Sequence, residues 1–238
     1  MAFGSDRQTS FARATDSAVM DEGLRIYMLR VYNYMASALA LTGVVAYIVA
    51  NTPFLMNAIF GTPLMWVVML APLGMVFYLS ARIHKMSIGG AQTAFWVFAT
   101  LMGMSLASIF LIYTGTSIAR VFFITAGLFG TMSLYGYTTK RDLTGMGSFL
   151  FMGLIGIILA SVVNMFMNST ALEFAISVIG VLVFVGLTAY DTQKIKNSYV
   201  EADSIDTAGK KAIMGALRLY LDFINLFLML LRLFGNRN

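Results

Sequence analysis

Two carboxylates in apolar surroundings are the residues best placed to do chemistry in this chain. Asp222 lies well inside the run from Ile213 to Phe234, whose only other charges are Arg218 and Arg232. An unpaired carboxylate at bilayer depth costs on the order of 3 kcal/mol on insertion scales, so Asp222 should face the protein interior and have a partner. Asp191 closes a second apolar run, in Leu187-Thr188-Ala189-Tyr190-Asp191-Thr192, and Arg82 closes a third. Two carboxylates a few ångströms apart cannot both ionise cheaply, whereas a neighbouring Arg favours the charged form. Such a pair would sense protons and, once ionised, offer hard oxygen ligands to Ca²⁺. Two side chains fall short of the roughly six to eight oxygens that Ca²⁺ prefers. Any ion at Asp191 and Asp222 would therefore be weakly held and partly hydrated, which suits permeation better than storage.

Simpler readings compete with this one. Asp191 could be an interfacial acid paired with Lys194 one turn on. Asp222 could pair with Arg218 at i−4 and only orient its helix, and Arg82 could be an ordinary cytoplasmic cation. Other chemistries lack their residues. There is no Cys, and His84 is the only imidazole, so thiolate catalysis, zinc fingers and His-based metal sites are excluded. Neither a Gly-x-Ser-x-Gly elbow nor a phosphate-binding loop occurs. The 18 Met and 19 Phe read as core and lipid contacts.

The elements that would position these groups follow from where charge is missing. Of 238 residues, 59% are hydrophobic and 11% are Asp, Glu, Lys or Arg, at a mean hydropathy of +0.80. That is too little polar surface for a soluble globule, so a soluble enzyme and a nucleic-acid-binding module are excluded despite the net charge of +5. Residues 31–81 and 86–119 carry no formal charge. Punctuated at Asn51-Thr52-Pro53 and Gly61-Thr62-Pro63, the sequence predicts seven helical spans near 31–51, 63–82, 91–113, 118–138, 147–167, 172–190 and 213–234. Each is close to the ~20 residues needed to cross the hydrocarbon, and the apolar runs are continuous rather than alternating, as in helices and not barrel strands. A polar tail (1–30) thus precedes one membrane domain (31–238), with a polar loop at 191–211. The expected fold is all-α and integral to the membrane. Its charged seventh helix is tolerable only if the other six surround it.

Lys and Arg concentrate in the tail (Arg7, Arg13, Arg25, Arg30) and in alternate loops (Arg82 and Lys85; Lys140 and Arg141; Lys194, Lys196, Lys210 and Lys211). By the positive-inside rule these are cytoplasmic, and so is the N-terminus. Seven spans then put Arg237 on the far side, against the same rule. The tail has no apolar core and balances its Arg with Asp6, Asp16, Asp21 and Glu22, unlike a signal or transit peptide. Pro72 and Gly74 should weaken or kink the second span. Ala36/Ala40, Gly103/Ala107 and Gly156/Ala160 have the spacing of close-packing positions.

Several motifs resemble one family. Phe123-Ile124-Thr125-Ala126-Gly127-Leu128-Phe129-Gly130, with Ser133-Leu134-Tyr135-Gly136-Tyr137-Thr138-Thr139-Lys140, is similar to the fourth span of the Bax inhibitor-like family, also called the transmembrane Bax inhibitor motif family. Asp142-Leu143, Gly147, Phe149-Leu150 and Gly153-Leu154 resemble its fifth span. Ala189-Tyr190-Asp191-Thr192-Gln193 resembles the motif closing its sixth. Ala216-Leu217 and Leu219-Tyr220-Leu221-Asp222-Phe223-Ile224-Asn225-Leu226-Phe227 resemble its last helix. The resemblance runs from about residue 25 onward and implies seven helices with the last at the centre. It further implies a pH-sensitive Ca²⁺ leak channel of the bacterial inner membrane, in which Asp191 and Asp222 sense protons and an Arg of the second span, fitted by Arg82, latches onto the pair. Some bacterial relatives are instead associated with a membrane-bound ATP-dependent protease, which gives an alternative role as its regulator or partner.

A third reading is enzymatic. Tyr190-Asp191 resembles the Tyr-Asp motif of intramembrane aspartyl proteases, but Gly-x-Gly-Asp and Pro-Ala-Leu are missing, and no Pro follows Pro72. The expectation is therefore a non-enzymatic channel without cofactor. It meets the lipid bilayer, protons and Ca²⁺ as permeant or weakly bound ion, and does not meet nucleic acid.

Overall fold

The computed structural model describes residues 5–238, with side chains from Met20 onward. The helices are α1 (Ser5–Ala50), α2 (Pro53–Phe60), α3 (Leu64–Arg82), α4 (Ile88–Leu106), α5 (Ile109–Ile112), α6 (Gly115–Thr138), α7 (Thr144–Met167), α8 (Thr170–Asn197) and α9 (Ile205–Phe234). Seven stretches are long and apolar enough to cross a membrane: Met20–Ala50, Leu64–Lys85, Ile88–Ile112, Gly115–Thr138, Thr144–Met167, Thr170–Asn197 and Ile205–Phe234. The all-α, seven-span expectation is met.

Helix starts follow local chemistry. Ser87, Thr114, Ser169 and Ser204 each accept, through the side-chain hydroxyl, a backbone N–H of the first turn that follows, which satisfies a donor left open at a helix N-terminus. Asp142 does similar work before α7. Its Oδ1 accepts from Thr144 N at 2.9 Å and Thr144 Oγ1 at 2.6 Å, and these bonds hold its carboxyl below the usual range. Asn168, the one described non-glycine residue with positive φ (49°), turns the chain sharply from α7 into α8.

The last helix is the axis of the bundle. The apolar window of α9 is 72% buried, against 11–33% for the other six. It packs on α8, α1, α6 and α4. Tyr220 is fully buried; its ring meets Phe98 edge-on at 5.1 Å, and its hydroxyl lies 2.7 Å from Thr42 Oγ1, which also donates to the Ala99 carbonyl. Phe122 and Phe129 of α6 pack edge-on against Phe223. Phe123, Phe149, Phe166 and Leu182 point outward, as lipid-facing side chains do.

The structure moves several expected boundaries. Helix α1 continues without a break into the expected 1–30 tail, and Tyr27 and Met28 are already core residues; residues 1–4 of that tail lie outside the described residues. The expected polar loop 191–211 shrinks to 198–204. Helix α8 runs two turns past Asp191 with hydrogen bonds from its polar residues, and α9 starts early on the Ser204 cap and the 2.6 Å Asp206–Lys210 pair. Pro53 begins α2 at a position where its missing N–H costs nothing. Helix α3 continues through Pro72. Of the three small-residue pairs, Gly103/Ala107 is a close-packing site, where the bare Gly103 backbone meets Thr42 and Val45 of α1. Ala36 and Ala40 are exposed instead, and nothing lies near Gly156.

Candidate functional site: a buried carboxylate pair

Each residue of Ala189-Tyr190-Asp191-Thr192-Gln193 has a separate positioning contact. Gly136 of α6 lies directly on the Ala189 carbonyl, and Gly147 of α7 lies on the Tyr190 ring. Thr192 Oγ1 is 2.9 Å from Ser133 Oγ, which reaches Tyr32 OH of α1 at 2.7 Å. Gln193 accepts from Leu143 N at 2.9 Å and donates to Arg141 O at 2.8 Å, stitching α8 to the turn between α6 and α7. Helix α8 is thereby fixed in rotation, and Asp191 is left pointing at α9.

There it meets Asp222. The two carboxyl groups are close neighbours on one cavity wall. Asp222 is 5% exposed, and its Oδ2 is buried with no hydrogen-bond partner. Arg218, one turn before Asp222, extends to Asp191 instead, with Nη1–Oδ1 at 3.6 Å. Lys194, the expected local partner of Asp191, sits over the Tyr190 ring and 3.4 Å from its hydroxyl. The structure thus brings together two of the three residues singled out. Arg82 is exposed at the end of α3, makes no ion pair among the described residues, and does not line the cavity described next. In this arrangement the counter-charge is Arg218.

The pair opens onto a cavity of about 1730 Å³. Helix α3 packs on α4 and α7 packs on α8, leaving a gap between α3 and α7 floored by α8 and α9. One end holds Asp191, Lys194 and Arg218; the other holds Glu173, Arg232 and Arg237. Between them runs the one face of α9 that its neighbours leave uncovered, Arg218, Leu221, Asn225, Leu228 and Arg232. Alternating steps of three and four residues place these on a single helical stripe. Asn225 and Arg232 belong to the site and were not singled out from sequence, although that spacing was legible. Among the described residues no three His, Cys, Asp or Glu side chains converge as a metal cage. A cation at the carboxylates would have two side chains as ligands and keep much of its water.

A family model described as "Inhibitor of apoptosis-promoting Bax1" matches residues 24–238. An uncharacterized protein of Rickettsia prowazekii is 53% identical, over 98% of both chains. A protein of Escherichia coli K12 named "Inner membrane protein YbhL" is also 53% identical, over 94% of this chain and 97% of that one. An uncharacterized membrane protein of Streptococcus pyogenes is 35% identical over 92% of this chain and 96% of its own.

Proposed function

The chain belongs to the Bax inhibitor-like family of membrane proteins, and from that premise we propose that it is a pH-sensitive calcium leak channel of the inner membrane, gated by protonation of the Asp191–Asp222 pair. The observation that carries the proposal is the meeting of two carboxyls from different helices on a cavity within the seven-span bundle, one of them with an oxygen that no protein donor reaches. A proton shared between the two supplies that donor and removes a like-charge contact. Loss of the proton leaves two negative charges of which only Asp191 has an ion-pair partner, Arg218, while Lys194 at the same end lies over the Tyr190 ring. The unpaired carboxylate favours entry of a cation from the cavity, and Ca²⁺ satisfies it with hard oxygen ligands at an affinity low enough to let the ion go on.

Protons and Ca²⁺ then compete for the same oxygens, so Ca²⁺ flux falls as pH is lowered through the titration of the pair. Helix α3, packed on α4 and facing the cavity through Met69, Pro72, Leu73 and Val76, is the wall assigned to move in this reading, since of the spanning helices it packs closely only on α4. The inner-membrane assignment follows the relative's printed name, and a cytoplasmic N-terminus follows the loop charges. The test is Ca²⁺ flux into proteoliposomes between pH 5 and pH 8, for wild type, Asp191→Asn, Asp222→Asn and the double variant. The expected result is a pH-dependent flux in wild type and a flux indifferent to pH in the double variant. A double variant that keeps the wild-type pH profile would remove the basis of the proposal.

A further inference from the structure

The four residues after α9 are held by a dense set of backbone and side-chain bonds. Tyr113 and Arg237 form an antiparallel bridge, flanked by Thr114 N to Asn236 O at 3.1 Å and Asn238 N to Ile112 O at 2.9 Å. Asn236 N also donates to Ser117 Oγ at 2.9 Å, and Arg120 donates to Phe234 O at 3.0 Å. Short polar segments at the edge of a fold usually fray; here the junction of α5 and α6 pins one in place. The pinning delivers the Arg237 side chain to the end of the cavity opposite the carboxylate pair, with Nη2 3.6 Å from Glu173 Oε1.

Charge at this end is lopsided. Glu173 is the only described acidic side chain on this side of the bundle, and Arg120, Arg232 and Arg237 all lie there. Glu173 is therefore the acidic side chain that a cation entering from this end could meet, and Arg237 already pairs with it.

We infer that Arg237, clamped by the Tyr113 bridge, is a selectivity residue of the cavity mouth: it neutralises Glu173 and repels cations, divalent ones most strongly, from the end of the cavity remote from Asp191 and Asp222. The inference rests on the channel reading above. It separates from that reading because the mouth and the carboxylate pair carry different charges and lie at opposite ends of the cavity.

The size of the effect follows from charge. Removing one positive charge about 7 Å from the path of an ion in water raises local occupancy about sevenfold for a divalent cation and two- to threefold for a monovalent one, since the second factor is the square root of the first. Charge repulsion thus leaves a signature that mere loosening of the mouth lacks.

The experiment measures Ca²⁺ and K⁺ flux at low ionic strength for wild type, Arg237→Gln, Arg237→Lys and Ser117→Ala, beside Asp191→Asn/Asp222→Asn. Support consists of a rise near sevenfold for Ca²⁺ and two- to threefold for K⁺ in Arg237→Gln. That rise shrinks in high salt, is rescued by Arg237→Lys, is partly reproduced by Ser117→Ala, and leaves the pH midpoint unmoved. An equal rise for both ions would overturn the inference in favour of a steric plug. An unchanged Arg237→Gln flux, in a protein whose Asp191→Asn/Asp222→Asn variant responds, would overturn it and leave the channel reading standing. If the aspartate variants also keep the wild-type pH profile, the channel reading fails and takes the inference with it.

Discussion

Gly136 offers the sharpest test of how the site is positioned. A methyl added there would fall on the Ala189 carbonyl group, with the carbonyl carbon 2.8 Å away. Ordinary carbon–carbon contacts begin near 3.5 Å, so α6 and α8 must separate by at least about 0.7 Å, and by more to clear the carbonyl oxygen, which lies nearer still. Both atoms that collide belong to helix backbones or are fixed to them, and neither can rotate out of the way. Overpacking of this kind costs about 1–3 kcal/mol. Gly130 lies on the same helix, is exposed, and has nothing within 4 Å of an added Cβ. Gly130→Ala therefore receives the same gain in helix propensity, about 1 kcal/mol at most, without the collision. The difference between the two variants isolates the contact. At about 2–4 °C per kcal/mol for a chain of this size, Gly136→Ala should melt roughly 2–12 °C below Gly130→Ala in detergent, followed by tryptophan fluorescence. Asp191 is two residues from Ala189, so the separation also shifts one carboxyl against the other, and Gly136→Ala should blunt the pH response of flux where Gly130→Ala does not. A Gly136→Ala protein that melts at or above Gly130→Ala would refute the close approach of α6 and α8 as the device that sets Asp191.

Two further outcomes follow from polar contacts. Thr42→Val strands the buried Tyr220 hydroxyl and should cost about 1–3 kcal/mol, whereas Tyr220→Phe leaves Thr42 its bond to Ala99 O and should cost about 1 kcal/mol; a double-mutant melting cycle that is strictly additive would contradict this coupling. The Asp142 carboxyl is held below its unfolded value by Thr144, so its contribution is present above the unfolded pKa near 3.9 and is lost as pH falls through the lower folded value. Asp142→Asn should accordingly lower stability at pH 7 and have no effect in strong acid, and a deficit that persists unchanged at pH 2 would assign the loss to something other than charge.

How much of this was legible in the sequence depends on range. The seven spans follow from charge-free runs, because the cost of burying charge in hydrocarbon is local and large. The centrality of α9 follows from Arg218, Asp222 and Arg232, since a charged helix needs protein neighbours. Helix ends were not legible. The bilayer limits where apolar residues can stop, but hydrogen bonding carries α8 through Asp191 to Asn197 and starts α9 at Ile205. The partner of Asp191 was not legible either. Arg218 is local to Asp222, one turn away, yet bonds across to α8, a choice that depends on how the two helices are rotated. That rotation is set by Gly136, Ser133 and the loop around Leu143, none of which signals its role through residue type alone. Arg82 has the composition of a counter-charge, but its place at the end of α3 keeps it away from the cavity lining.

The central burial of α9 also has a consequence for how the protein is made. Synthesis proceeds from α1 toward α9, so α1, α4, α6 and α8, the helices that pack on the axis, reach the bilayer before the axis exists. Each is apolar enough to insert alone, but Thr42, Ser133 and Thr192 then border a space that α9 and its neighbours have yet to close. Insertion and assembly are therefore separate events, with assembly waiting on the seventh segment. A chain halted in the 198–204 loop would leave its helices in the membrane as unassembled parts, exposing to lipid and to quality control the faces that α9 would have covered.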